Sequence, residues 1–227
     1  VAERLAGVRA RLAEACRAAG RDPLLVRLVA VSKTQPAAAV REAYAAGQRD
    51  FGENYAQELR DKARELADLP DLRWHFVGGL QTNKVKLVVG TAHLFHALDS
   101  LRLAQALDQR QALGGGVLET LVEVNVGLEP QKHGVVAVEL PGLLEACRGL
   151  PHLRVTGLMC IPPLDTDAES HRPHFRALRA LAADHGLREL SMGMTDDFAV
   201  AIQEGATMVR VGTAIFGARQ TRAVGEG

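Results

Sequence analysis

Apolar and polar positions along this chain follow two periods in turn. Over residues 1–19, Leu5, Val8, Leu12 and Ala15 recur at three- and four-residue spacing, which predicts an amphipathic helix ended by Gly20. The run Leu28-Val29-Ala30-Val31-Ser32-Lys33 is short, valine-rich and closed by a turn signal, the pattern of a buried strand. Pro36, whose φ is preset for a first helical turn, opens a helix over 36–46 that Gly47 stops. The alternation then repeats. Strands are predicted at 50–52, 74–77, 94–98, 118–126, 155–161, 189–191 and 208–211. Helices are predicted at 55–67, from a Thr82 cap, from Asp99-Ser100 to 113, after the 132–134 turn to 150, over 168–185, and from 195–197 onward.

Strands and helices alternating at these lengths imply right-handed βαβ units around a parallel sheet. About eight repeats fit a (β/α)8 TIM-type barrel with an extra N-terminal helix, and no linker longer than a turn divides residues 1–227 into more than a single domain. A doubly wound open sheet is the alternative, because periodicity alone does not separate the two.

In a barrel the strand exits share one mouth, and their residues become site candidates: Lys33, Glu53-Asn54, His75, Asn125, Met159-Cys160, 191–195, and Arg210 with Gly212-Thr213. A lysine at a strand end has two readings. It snorkels to solvent, the commoner outcome, or it is a Schiff-base lysine whose amine is made nucleophilic by its surroundings. Gly212-Thr213, just past the last strand and opening a short helix, supplies backbone N–H groups and a hydroxyl suited to phosphate, although an ordinary capped turn has the same sequence. Thr195 is a second cradle candidate, but the following Asp196 and Asp197 would repel a phosphate unless they point away. His93 with His96 and His171 with His174 lack the convergent ligands of a metal site and read as solvated surface histidines. Cys160 reads as a small packed side chain, and Lys84 and Lys132 as solvated.

Composition removes several function classes. Lysine plus arginine equals aspartate plus glutamate, 27 each, so there is no electrostatic footprint for nucleic acid or an anionic membrane, and any phosphate must be held locally. Hydrophobic residues at 47% with aromatics at only 4% predict a sizeable, mostly aliphatic core. Cys16, Cys147 and Cys160 are an odd, widely spaced set that fits a reducing, cytoplasmic location, and no membrane-span or signal-peptide pattern is present.

Five ordered motifs then converge: Val31-Ser32-Lys33-Thr34, Phe51-Gly52-Glu53-Asn54-Tyr55, Trp74-His75-Phe76-Val77-Gly78 with Gln81-Thr82-Asn83-Lys84, Ser191-Met192-Gly193-Met194-Thr195-Asp196-Asp197, and 208–217. In these the chain, from Leu28 to Arg219, resembles the pyridoxal phosphate homeostasis proteins. The resemblance implies a fold-type III barrel like the N-terminal domain of alanine racemase, binding pyridoxal 5'-phosphate (PLP) as an aldimine on Lys33. It implies Arg210 at the pyridine nitrogen, Thr195, Gly212 and Thr213 at the phosphate, and Asn54 and His75 lining the ring pocket. Thr195 stands where serine is usual, keeping the hydroxyl, and Gly79 stands where proline is usual.

The function so implied is a PLP carrier or buffer in vitamin B6 and amino-acid homeostasis, without turnover, a monomer that hands its cofactor to apo-PLP enzymes. A PLP-dependent amino-acid racemase and a cofactor-free Schiff-base aldolase are the alternatives. Racemisation needs a base on each face of the cofactor. In alanine racemases the second is a tyrosine from a further β domain, which the short stretch after the cradle does not supply. The only tyrosines here are Tyr44 and Tyr55.

Overall fold

The alternation closes on itself. The structure, a computed structural model, describes residues 1–218; Arg219, where the motif resemblance ends, lies outside the described residues. β1 (Arg27–Val31), β2 (Asp50–Glu53), β3 (Arg73–Phe76), β4 (Ala92–Leu98), β5 (Leu118–Glu123), β6 (Leu153–Met159), β7 (Glu189–Ser191) and β8 (Met208–Val211) run parallel in chain order. β8 returns to β1, with Arg27 opposite Met208 and Ala30 opposite Val211. A ring without edges excludes the open doubly wound sheet.

Outside the ring lie α1 (Ala2–Ala18), α2 (Ala37–Ala45), α3 (Ala56–Glu65), α4 (Leu101–Ala112), α5 (Leu140–Arg148), α6 (Arg172–Asp184), α7 (Phe198–Gln203) and α8 (Thr213–Phe216). At four residues, α8 is too short to cover the seam between β8 and β1. The N-terminal helix does this instead: α1 buries Leu5, Val8, Leu12 and Cys16 and packs against α7, α8 and α2. Arg4 fastens it, donating from its guanidinium to the carbonyls of Ile215 (2.9 Å) and Phe216 (3.2 Å).

Several boundaries move for local reasons. The helix expected from Thr82 is a 3-10 helix, Thr82–Leu87, without a side-chain cap. β5 stops at Glu123 instead of running to 126, because the Asn125 side chain closes a loop, donating to Glu129 O (2.8 Å) and accepting from Glu129 N (3.1 Å). The next helix waits for Leu140, with Pro141 in its first turn. α7 begins at Phe198 with Asp197 at its N-cap position and no side-chain cap; the Asp197 carboxylate accepts instead from the preceding Met194 N–H (2.6 Å).

Strand alternation sorts the side chains. Leu28, Ala30, Phe51, Trp74 and Phe76 join the aliphatic core under the helices. Asp50, His75, His96, Ser191 and Arg210 hydrogen-bond to one another across the barrel interior, a polar line beside inward apolar residues such as Val29. Among the described residues, no helix is long and apolar enough to cross a membrane, and no group of His, Cys, Asp or Glu is placed to hold a metal ion.

Candidate functional site

The cavity at the mouth is lined from the exits of β1, β2, β3, β6, β7 and β8. Its polar lining is Lys33, Gln35, Asn54, Thr195, Arg210 and Thr213; Val31, Val77, Ile161, Met194 and Phe216 form apolar walls. Of the seven expected site residues, six, including Gly212, meet here.

Lys33 lies two residues past the end of β1 and is half-buried. The chain beside it is held on both sides. Ser32 N donates to Gly52 O (2.9 Å), and the Ser32 hydroxyl donates to Glu53 Oε1 (2.6 Å). Thr34 has φ of 65°, a left-handed conformation unusual for a β-branched residue, and its N–H donates to Glu58 Oε1 (2.7 Å). Asn54 is backed by Gly78, where a Cβ would sit 2.4 Å from Asn54 O.

On the neighbouring exits of β7 and β8, the Thr195 and Thr213 hydroxyls approach to 3.4 Å although 18 residues separate them. Between β8 and Thr213, Gly212 lets the backbone pass close to β1; a Cβ there would lie 3.1 Å from Val31 O. The acids that follow Thr195 do not crowd this pair. Asp197 is 3% exposed and turned to His171 Nδ1 (2.7 Å), while Asp196 is exposed.

Arg210 forms the floor. Its NH1 donates to Ser191 O and Ser191 Oγ, both at 2.7 Å, and its NH2 to Cys160 O at 2.9 Å. These bonds use three of the five guanidinium N–H donors. Burial pulls the guanidinium below its ordinary value, opposed by nearby Cys160, Glu123 and Asp197.

The seventh expected residue, His75, does not line this cavity. It is fully buried deeper in the barrel, paired in register with Gly52 and hydrogen-bonded to Asp50 and His96 (both 2.9 Å). Val77, two residues on and on the same strand face, reaches the cavity in its place. His96 and His171 are likewise buried, where sequence spacing suggested solvated surface residues. Of the mouth lysines, Lys84 is exposed, whereas Lys132 pairs with Glu129 (2.5 Å) and donates to Pro162 O (2.9 Å). Cys160 is fully buried, and burial pushes its thiol up to about 12.

An amine, two converging hydroxyls and a guanidinium around an apolar slot suit a planar aldehyde carrying a phosphate and a ring nitrogen. Comparison with known proteins agrees. The family described as Alanine racemase, N-terminal domain, matches residues 4–220. The pyridoxal phosphate homeostasis protein of Pseudomonas aeruginosa is 51% identical over 221 residues, covering 96% of each chain. That of Aquifex aeolicus is 46% identical, over 96% of this chain and 98% of its own. The structure of PipY from Synechococcus elongatus with PLP bound superposes at a TM-score of 0.84 with 42% identity, covering 95% of this chain and 99% of that one. Alanine racemase from Corynebacterium glutamicum, at 19% identity and a TM-score of 0.67, shares the fold over 97% of this chain and 63% of its own. The chain belongs to the pyridoxal phosphate homeostasis protein family, whose barrel is that of the alanine racemase N-terminal domain.

Proposed function

We propose that this protein binds PLP at the barrel mouth and serves as a carrier that keeps the cofactor available without turning over a substrate. The observation that carries this reading is the meeting of Lys33, Arg210 and the Thr195–Thr213 hydroxyl pair in one cavity. Lys33 holds the cofactor covalently, its amine condensing with the aldehyde and releasing water. Thr195 and Thr213 donate to the phosphate from two strand exits, helped by the backbone at Gly212, and Arg210 faces the ring nitrogen. Asn54 closes one side of the slot. So held, PLP would supply an imine carbon that other amines can exchange onto, and an electron sink. The three described cysteines are buried free thiols, which fits a reducing cytoplasmic setting. Mixing PLP-loaded protein with an apo-PLP enzyme should restore that enzyme's activity faster than the loaded protein releases PLP to buffer alone. Restoration no faster than release would argue against delivery by contact.

The cradle assignment has its own test. A hydrogen bond to a charged group is worth about 1.5–3 kcal/mol, so Thr213→Ala should weaken PLP binding about ten- to a hundredfold. Pyridoxal, which has no phosphate, should be little affected. Equal loss for both ligands in a titration would remove Thr213 from the phosphate.

The cavity wall lacks a second base. Among the described residues that line it, Lys33 is the one side chain able to take a proton, since Arg210 stays charged at accessible pH. Neither tyrosine lines the cavity: Tyr55 is 57% exposed, and Tyr44 donates to Asp71 beside Arg49. Arginine also withholds a proton from the ring nitrogen, which weakens the electron sink. Loaded protein incubated with L-alanine in heavy water should therefore show no sustained α-deuteration or loss of chirality. Turnover that vanishes in Lys33→Ala and in Tyr55→Phe would make this protein an enzyme.

A further inference from the structure

Arg210 is the mouth end of a line of buried polar side chains that crosses the barrel. From its NH1 the line passes to Ser191 Oγ (2.7 Å), and from there to His96 Nδ1 (2.9 Å). It continues from His96 Nε2 to His75 Nδ1 (2.9 Å) and from His75 Nε2 to Asp50 Oδ1 (2.9 Å). Ser191, His96 and His75 are fully buried. β4 and β7 are not neighbours in the sheet, so the His96–Ser191 bond spans the lumen. Arg73, half-exposed at the start of β3, closes the far end with two bonds to Asp50 (2.7 and 3.0 Å).

The two ends set the direction of every bond between them. Burial alone would raise the Asp50 carboxyl, but the bonds from His75 and Arg73 outweigh it and draw it down to about 2, so Asp50 is ionised and only accepts. His75 must then carry its proton on Nε2. Burial disfavours charge on both imidazoles. A neutral His75 therefore accepts at Nδ1, which requires the His96 proton on Nε2 and leaves His96 Nδ1 to accept from the Ser191 hydroxyl. Read from the other end the answer is the same. Arginine only donates, so Ser191 Oγ accepts from Arg210 and has its single proton to give to His96.

Resting on the reading of the mouth as a PLP site, we propose that Ser191, His96, His75 and Asp50 are positioning residues that hold the Arg210 guanidinium in one orientation toward the ring nitrogen of a pyridine ligand. Two carbonyls, Ser191 O and Cys160 O, would leave the guanidinium free to pivot. The third bond, to an Oγ whose own proton is committed to His96, removes that freedom. Each acceptor along the line already has its donor, so none takes a proton from Arg210, which stays a charged donor while the ring nitrogen keeps its lone pair.

The test has two arms on the full chain. Long-range proton–nitrogen NMR of the cofactor-free protein at neutral pH should show His75 and His96 both as neutral Nε2–H tautomers. An Nδ1–H tautomer or an imidazolium at either residue would overturn the line. In the second arm, Ser191→Ala should bind PLP and pyridoxal about tenfold more weakly, to the same degree, and shift the absorption maximum of bound cofactor. Wild-type affinity and spectrum in that variant would overturn the positioning role. Because the first arm needs no cofactor, failure of the line is distinguishable from failure of the binding reading, which shows as wild-type protein taking up no PLP.

Discussion

Lys33→Ala protein should retain no borohydride-stabilised PLP, whereas in the wild type the reduced adduct should map to the peptide that contains Lys33. The backbone around this residue is fixed from three directions, by Gly52 O, by Glu53 through the Ser32 hydroxyl, and by Glu58 through the Thr34 N–H. That backbone sets the root of the side chain, which lines the cavity together with Thr195, Thr213 and Arg210. Lys33→Arg keeps a cation of similar length, but a guanidinium does not form a stable imine and should lose the adduct as completely. Both variants keep the phosphate hydroxyls and should still bind PLP weakly and reversibly. Reduction, digestion and peptide mass analysis decide the matter. Adduct found mainly on Lys84 or Lys132 would move the site. Neither lines the cavity as Lys33 does: Lys84 is exposed, and Lys132 reaches Glu129 and Pro162 O.

The barrel was legible because parallel strands buried on both faces read as short apolar runs between helical patterns, and local chemistry marks each boundary. Lys33, Arg210 and the two threonines could be placed because a strand exit is a local feature of the sequence. Depth inside the barrel is not local. In Trp74-His75-Phe76-Val77, period two puts His75 and Val77 on one face, but the pairing of His75 with Gly52 decides which of them reaches the mouth. His96 sits among Leu94, Phe95, Ala97 and Leu98, a run with no polar alternation, and its burial is tolerable because of Ser191, 95 residues away. Asp197 posed a repulsion in the sequence that the fold removes by turning it to His171. Glu53 also looked like a mouth residue. It faces the helices instead, where Lys62 meets it from α3.

That pair should produce the largest stability effect in the molecule. Lys62 Nζ lies 2.6 Å from Glu53 Oε1, 2.7 Å from Glu58 Oε1 and 2.6 Å from Ser32 O, with Glu53 and Lys62 both buried. Among the described residues, Glu53 Oε2 has no hydrogen-bond partner. Burial pushes the Glu53 carboxyl up to about 7, although Lys62 and Ser32 pull it down. Lys62→Met keeps the bulk and removes the counter-charge, leaving Glu53 with one hydroxyl. Breaking a buried pair in this way costs about 3–5 kcal/mol, a large share of a total near 5–15 kcal/mol. The pH dependence has a definite sign. A carboxyl raised on folding binds its proton where the unfolded chain, near 4.5, has already lost it, so its contribution to stability falls as pH rises from about 4.5 through about 7. Without Lys62 the carboxyl rises further, and the decline extends to higher pH. Urea unfolding should therefore find Lys62→Met mildly destabilised at pH 5 and severely at pH 8. Glu53→Gln added to Lys62→Met removes the stranded charge and should recover much of the loss at pH 8. Equal destabilisation at both pH values, or a double variant less stable than the single one, would show that the pair is not coupled as the geometry indicates. The double variant still lacks the ammonium that anchors Ser32 O beside Lys33. It should regain stability without regaining full PLP uptake, which separates the support of the fold from the placement of the lysine.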